Sequence, residues 1–312
     1  MNATPTRDGF GVELTALGNE RKDIVVVSAD LEDATRAEFF KKEFPDRFFT
    51  VGIAEQDMVG TAVGLALEGF VVFASSFAVF MTNRAYDMIR IDVCQNNANV
   101  KIVCSHAGIT VGEDGSTAQC LEDLAIMRVL PNMTVLCPVD TIEAKKATRW
   151  MANNYGPFYM RTSRSAVPVI TAEADPFVVG KANVMREGKD VTIIACGLMV
   201  SESLQVAEML KKEGIDARVV NMHTIKPIDI QMIVESAKQT KAIVTAEEHQ
   251  IMGGLGSAVC EALAQNYPVP VEMIGMNDAY GETGDPEGLL KKYHMKDRDI
   301  AQAVKRVIKR KI

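Results

Sequence analysis

The chain has 312 residues, of which 47% are hydrophobic and 24% are charged. This balance is typical of globular proteins and excludes a disordered chain, a collagen-like repeat or a small disulfide-stapled scaffold. With 34 Lys and Arg against 41 Asp and Glu, the net charge is −7, which argues against general binding to nucleic acid or anionic membranes.

Short β-rich runs alternate with amphipathic helical stretches along the chain, and this pattern predicts parallel α/β sheets. In the first half, the predicted strands are 23–28, 49–52, 70–74, 100–106, 134–137 and 158–161, and the predicted helices are 56–67, 122–129 and 142–153. In the second half, the predicted strands are 191–196, 217–221, 241–246 and 269–275, and the predicted helices are 200–213, 228–238 and 256–265, with a basic helix at the end.

A stretch rich in Pro and Ala separates these two halves. We therefore expect two consecutive three-layer α/β domains with mainly parallel sheets, since each half has the size of an ordinary domain. The predicted boundaries are 1–165 for the first domain, 166–185 for the linker and 186–312 for a separate second domain.

The six cysteines show neither a C-x-x-C pair nor zinc-ligand spacing, and the scattered histidines offer no metal-binding pattern. Most of the cysteines lie in apolar runs, which predicts buried free thiols. The polar start of the chain does not resemble a signal peptide, and Glu68 interrupts the longest apolar stretch. We expect a cytoplasmic protein that binds no metal through its own side chains and does not span a membrane.

Two polar segments follow predicted strands, where ligands of parallel sheets usually bind. Residues 106–119 combine a histidine, two acids and three glycines in one long loop, which favours a functional loop over a plain surface connection. Glu55 lies where a strand meets a helix, a position that also suits an acid acting only on the helix dipole. Spacing by itself leaves both alternatives open.

Together, several runs resemble the pyrimidine-binding domain of transketolases. They are SADL at Ser28–Leu31, GIAEQDM at Gly52–Met58, SFAVF at Ser76–Phe80, HAGITVGEDGSTAQ at 106–119 and LPNMTVLCPVD at 130–140. The second half, with its GGLG run at 253–256, is similar to the transketolase C-terminal domain. The resemblance thus covers essentially the whole chain and implies a transferase that moves a two-carbon ketol unit between sugars.

Transketolases hold the diphosphate of thiamine diphosphate and its magnesium ion through a GDG motif, and this sequence contains no GDG. The resemblance therefore implies the C-terminal subunit of a split transketolase. We expect a separate N-terminal subunit to supply the GDG motif and Mg²⁺, two copies of each subunit in the assembly, and a cofactor shared between them.

The resemblance assigns cofactor contacts to five positions. It implies that Glu55 hydrogen-bonds the aminopyrimidine ring of the cofactor and acts in catalysis, while Phe77 and Phe80 pack on that ring. Asn83 occupies a third position that is aromatic in the family, and Asp30 matches an aspartate near the cofactor. Ordinary core packing is the alternative for the two phenylalanines, and a turn-initiating role is the alternative for Asp30.

Four further residues match positions that bind the sugar phosphate. His106 and Arg164 match groups that hold the phosphate, Arg7 is a weaker match for the same role, and Asp114 matches the residue that reads a substrate hydroxyl. Ala118 departs from the family, which usually has histidine there.

Ala118 leaves other functions open. These are half of another thiamine-dependent enzyme, such as a deoxyxylulose-phosphate synthase, and a transketolase with an unusual substrate. The GEDG run at 112–115 argues against a 2-oxoacid dehydrogenase beta subunit. The presence of Glu55, His106, Asp114 and Arg164 argues against a non-catalytic paralogue that binds the partner.

Overall fold

The computed structural model describes residues 3–311. Its strands are β1 (Ala3–Thr4), β2 (Ile24–Ser28), β3 (Phe48–Thr50), β4 (Val71–Phe77), β5 (Val100–Ser105), β6 (Thr134–Leu136), β7 (Phe158–Arg161), β8 (Val167–Pro168), β9 (Asn183–Arg186), β10 (Val191–Ala195), β11 (Ala217–Asn221), β12 (Thr224–Lys226), β13 (Ile243–Gln250) and β14 (Val271–Met276).

The α-helices are α1 (Thr6–Glu20), α2 (Glu32–Thr35), α3 (Glu38–Glu43), α4 (Glu55–Leu67), α5 (Ala78–Arg84), α6 (Tyr86–Met88), α7 (Asp123–Arg128), α8 (Thr141–Asn153), α9 (Met199–Lys212), α10 (Ile230–Thr240), α11 (Leu255–Asn266), α12 (Pro286–Lys292) and α13 (Asp297–Ile308). Two 3₁₀ segments, Pro45–Arg47 and Ile109–Asp114, and a π-helical segment, Ile89–Gln95, complete the regular structure.

The two larger sheets confirm the predicted fold class of mainly parallel α/β sheets. The first sheet has the order β3-β2-β4-β5-β7-β6-β12, with every neighbouring pair parallel except the β6–β12 pair. The second sheet has the order β9-β11-β10-β13-β14 and is parallel except for β9. β1 and β8 form a small antiparallel pair.

Helices cover both faces of the first sheet. Successive residues of each strand point to opposite faces, so both sets of side chains are buried. In β2, Ile24 and Val26 pack in a core with Phe10 of α1, whereas Val25 and Val27 pack in another core with residues of α4. The continuous apolar run of β2 is therefore what a strand between two helical layers requires.

The two halves share a sheet edge and a buried core, which the sequence did not predict. β12 comes from the second half, yet it pairs with β6 and closes one edge of the first sheet. Ile194 and Val220 of the second sheet belong to the same buried cluster as Val25 and Val27 of the first. The predicted linker at 166–185 also contains β8 and the start of β9.

Helix α1 was not among the predicted elements. Its sequence contains three glycines, which are poor helix formers. All three lie at close packing contacts. A Cβ at Gly9 would lie 2.4 Å from the carbonyl oxygen of Thr141, one at Gly11 would lie 2.6 Å from that of Arg36, and one at Gly18 would lie 2.4 Å from the ring of Phe44. Tertiary packing against α8 and the segment after α2 therefore outweighs the weak local propensity.

The cysteines are free thiols, as predicted, and all are buried except Cys260, which is partly buried. Between residues 3 and 311, the structure contains no helix that is both long enough and apolar enough to cross a membrane.

Candidate active site

The carboxyl edge of the first sheet collects the predicted site residues. Asp30 follows β2, Glu55 begins the helix after β3, Phe77 ends β4, His106 follows β5 and Arg164 lies just beyond β7. Because these strands are parallel, their carboxyl ends meet at one edge. The order in which strands are added to the sheet reverses at β2, since β3 lies on one side of β2 and β4 lies on the other. Ligands of open α/β sheets bind at such a reversal point.

Planar side chains form a stacked group at this edge. The rings of Phe77 and Phe80 lie 5.7 Å apart and nearly parallel, at an angle of 16°. The imidazole of His106 stacks on Phe77 with ring centroids 3.7 Å apart. Phe77 is buried whereas Phe80 is only partly buried, so the group presents an aromatic surface at the edge of the chain.

Glu55 is the most deeply buried carboxylate among the predicted residues, with only 3% of its surface exposed. It is the first residue of α4, where the partial positive charge of the helix terminus favours an anion. Within residues 3–311, its hydrogen-bond donor is Arg84, whose Nη1 lies 3.2 Å from both Glu55 carboxylate oxygens. Arg84 was not predicted from the sequence.

His106 is a neutral imidazole at pH 7. Burial lowers its pKa to about 3, and three nearby arginines add to this effect. They are Arg7, Arg164 and Arg36, in order of decreasing contribution. His106 was predicted to hold a phosphate together with cations, but the positive charge at this site comes from the arginines.

Arg7 carries a signal of its own. Its Nη1 donates to the carbonyl oxygen of Ala34 at 2.7 Å, while its Nε is buried and has no partner among residues 3–311. Burial lowers the pKa of this guanidinium, and the neighbouring Arg36 lowers it further. A cluster of partly buried cations with an unpaired donor is suited to an anionic ligand.

Arg36 completes this cluster and was missed by sequence reasoning. It has a left-handed backbone, with φ of 69°, and its Nε lies 2.8 Å from Oδ1 of Asp8. The only available signal was its place in the segment after β2, five residues beyond the SADL run at Ser28–Leu31. Its approach to Arg7 depends on how α1 packs.

Arg164 organises the long loop after β5. Its Nη1 donates to the carbonyl oxygen of Val111 at 2.7 Å, and its Nη2 lies 3.8 Å from carboxylate oxygens of both Asp114 and Glu113. The structure therefore brings Arg164 and Asp114 together, as the predicted substrate site requires. Asp114 is exposed, so its carboxylate is accessible to a ligand.

The second half of the chain packs against one side of the loop at 106–119, which the sequence did not predict. The backbone N–H of Thr110 donates to Oε1 of Glu248 at 2.5 Å, and Gln119 donates to the carbonyl oxygen of Glu282 at 2.9 Å. Burial raises the pKa of Glu248, and this effect is opposed by the nearby Arg161. The loop is thus held between the two halves.

Three other positions lie outside these clusters. Asn83 is exposed and donates to Oε1 of Glu122 at 3.0 Å, so it does not join the aromatic group. Asp30 is exposed with φ of 64°, and no hydrogen bond links it to another predicted site residue between residues 3 and 311. Ala118 is buried in the turn that ends the loop, where its N–H donates to the carbonyl oxygen of Gly115 at 3.1 Å.

Family models match both halves of the chain. The transketolase pyrimidine-binding domain matches residues 2–169, and the transketolase C-terminal domain matches residues 180–300. The chain belongs to the transketolase family.

Relatives and a solved structure refine this assignment. A putative transketolase C-terminal section from Methanocaldococcus jannaschii is 45% identical over 97% of this chain and 96% of its own. The 6-deoxy-6-sulfo-D-fructose transketolase subunit SqwH of a Clostridium species is 42% identical over 98% of this chain and 95% of its own. A structure described as a split gene transketolase, inactive beta4 tetramer, superposes with a TM-score of 0.93 at 47% identity, covering 99% of each chain. This chain is therefore a C-terminal subunit of the split-transketolase type.

Proposed function

We propose that this chain acts with a separate N-terminal subunit as a thiamine-diphosphate-dependent transketolase. The reaction would transfer a two-carbon ketol unit from a ketose phosphate to an aldose phosphate. The observation that carries the proposal is the buried Glu55 carboxylate at the start of α4, beside the stacked Phe77 and Phe80 rings.

These residues fit the aminopyrimidine end of thiamine diphosphate. A buried carboxylate would share a proton with a ring nitrogen, and an aromatic surface would stack on the ring. When bound, the cofactor supplies the electron sink for the two-carbon fragment. Glu55 would hold the proton at the ring nitrogen, and Phe77 and Phe80 would orient the ring and exclude water from it.

The arginine cluster supports binding of an anionic sugar. The guanidinium groups of Arg7, Arg36 and Arg164 would bind the anionic terminal group of the sugar. The Nε of Arg7, unpaired among residues 3–311, supplies a free donor. Neutral His106 would contribute a hydrogen bond rather than a charge. Asp114, held near Arg164, would bind a substrate hydroxyl.

The diphosphate and the divalent metal ion would be bound by the partner subunit, which would carry the GDG motif. Among residues 3–311, no group of three or more His, Cys, Asp or Glu side chains is placed to hold a metal ion. We propose an assembly of two copies of each subunit, in which this chain forms a homodimer. The free thiols fit the reduced cytoplasmic compartment in which we propose that it acts.

Ala118 favours a donor other than the common ketose phosphates as a second candidate. Its methyl group cannot donate a hydrogen bond, and its position in the turn leaves no polar side chain there. Donors tested should therefore include xylulose 5-phosphate and 6-deoxy-6-sulfofructose. An Ala118→His variant that gains activity on the first donor would assign the difference to this position.

The proposal is tested by co-expressing the chain with a GDG-containing subunit and measuring ketol transfer over these donors. Glu55→Gln, which keeps the shape but loses the charge, should lower kcat by roughly 100-fold or more, as expected for loss of a catalytic acid–base group. Glu68→Gln, an exposed change just after the same helix, is the matched control. Wild-type turnover in Glu55→Gln, or no activity with any donor, would overturn the proposal.

A further inference from the structure

The side chain of Arg84 makes two contacts with the predicted cofactor site. Its Nη1 donates to both oxygens of Glu55 at 3.2 Å, and its guanidinium carbon lies 4.3 Å from the centre of the Phe80 ring. Phe80 and Arg84 are four residues apart in α5, so they lie on the same helical face. The guanidinium is therefore held between an aromatic ring and a buried carboxylate.

These contacts match those that the aminopyrimidine would make. A guanidinium is a planar, delocalised nitrogen group that stacks on aromatic rings and donates N–H bonds to carboxylates. The aminopyrimidine is likewise planar and would stack on the same aromatic surface while bonding to Glu55. The guanidinium and the aminopyrimidine cannot both bond to the Glu55 carboxylate and stack on the aromatic surface at the same time.

In the cofactor-free chain, the contact with Arg84 balances the charge of the buried Glu55 carboxylate. A buried carboxylate without a partner is costly, because it loses its hydration and gains nothing in return. Glu55 is 3% exposed, and Arg84 provides its counter-charge.

The contact is also easy to release. The side chain of Arg84 is 51% exposed, and a single nitrogen serves both oxygens instead of the paired geometry that makes the strongest arginine–carboxylate contacts. Its backbone carbonyl accepts a hydrogen bond from Gln56 at 3.1 Å, so the side chain can turn towards solvent while the helix end stays in place.

We propose that the Arg84 side chain binds Glu55 in the cofactor-free subunit, in the place that the aminopyrimidine would take, and moves away when the cofactor binds. This inference rests on the proposed function. It makes Arg84 a competitor of the cofactor, not one of its ligands. The residue keeps the buried carboxylate paired before assembly and weakens cofactor binding by the fraction of time that it occupies the site.

The test uses the complete two-subunit assembly, stripped of cofactor and titrated with thiamine diphosphate and Mg²⁺ by calorimetry. Arg84→Met keeps the length of the side chain but removes the charge and the N–H donors. The dissociation constant should fall roughly three- to tenfold, as expected if the contact is about 70–90% populated. Arg84→Lys, which keeps the charge without the planar group, should give a smaller change.

A second measurement separates competition from general stability. The melting temperature of the cofactor-free Arg84→Met assembly should fall, because Glu55 loses its counter-charge, while that of the loaded assembly should stay unchanged. Arg90→Met, at an exposed arginine in the following π-helical segment, should move neither temperature.

The outcomes distinguish this inference from the function on which it rests. A wild-type assembly that binds no thiamine diphosphate would overturn the proposed function and the inference with it. Normal binding by the wild type with weaker or unchanged binding by Arg84→Met would overturn the inference alone, since Arg84 would then be a ligand or a bystander.

Discussion

His106 combines an unusual backbone with an unusual ionisation. Its φ of 57° is left-handed, its ring stacks on Phe77, and Ser105 Oγ lies 2.8 Å from its Nδ1. A protonated imidazole here would be buried next to arginines, so the folded chain resists protonation. The residue is thus suited to bind a ligand without changing charge near neutral pH.

This ionisation predicts a pH dependence of the free energy of unfolding of the isolated chain. The unfolded chain takes up a proton at His106 near pH 6.5, whereas the folded chain does so only near a pKa of about 3. The stability due to neutral His106 is therefore present above pH 6.5 and is lost as the pH falls towards 3, by about 2 kcal/mol at pH 5. Urea unfolding at several pH values measures this slope.

His106→Asn should flatten the slope between pH 6.5 and 5, since asparagine tolerates the left-handed backbone and does not titrate. The remaining slope comes from other buried groups with opposite effects: burial lowers the pKa of His223 to about 4, which makes stability rise with pH, and raises the pKa of Glu143 to about 8, which makes it fall. His294→Asn is the matched control, as His294 has φ of 59° but its side chain is 82% exposed. Equal slopes in His106→Asn and the wild type would contradict the assignment.

At the scale of elements, the loop after β5 depends on the second half of the chain as much as on its own sequence. Gly108 has φ of 86°, and a Cβ there would lie 2.3 Å from the carboxyl group of Glu248 and 2.7 Å from Arg161. Both neighbours are buried. The loop can therefore keep its shape only with glycine at this point.

Gly108→Ala should destabilise the isolated chain by about 1–3 kcal/mol, because it adds backbone strain and a clash with buried charged groups. Gly64→Ala is the contrasting variant, since Gly64 lies inside α4 and no atom is within 4 Å of the added Cβ. It should stabilise the chain by about 0.5–1 kcal/mol. Chemical denaturation of both variants measures the difference, and equal effects would show that the local contacts at Gly108 are not those described.

The sequence predicted most of these elements because buried strands and helices leave recognisable patterns of apolar residues along the chain. The continuous apolar runs of β2 and β7 and the spaced apolar residues of α8 identify them without tertiary information. Helix α1 and β12 were missed for the opposite reason: the glycines of α1 weaken the local signal, and β12 is a three-residue strand stabilised only by a distant partner.

At the scale of the whole molecule, a shared core makes the two halves dependent on each other. Ile225 of β12 is 1% exposed and lies in the same buried cluster as residues of the first sheet. The isolated chain should therefore unfold in one cooperative transition, with equal calorimetric and van't Hoff enthalpies.

Ile225→Ala should lower the stability of the entire chain by about 2–5 kcal/mol, the usual cost of such a truncation in a core. The melting temperature should fall for probes in both halves together. Ile230→Ala, at a residue that is 47% exposed, should have little effect. Two resolved transitions, or a shift confined to one half, would contradict this coupling.

By itself, the sequence determined the α/β class, the order of most strands and helices, and the motifs that assign the family. These follow from local patterns, since hydrophobic period and turn residues act over a few positions. Only the tertiary structure decided that Arg84 meets Glu55, that Arg36 lies near His106 and that Glu248 holds the loop after β5. The residues of each pair lie 29 or more positions apart in the sequence. Their approach depends on how helices and sheets pack, which no short stretch of sequence determines.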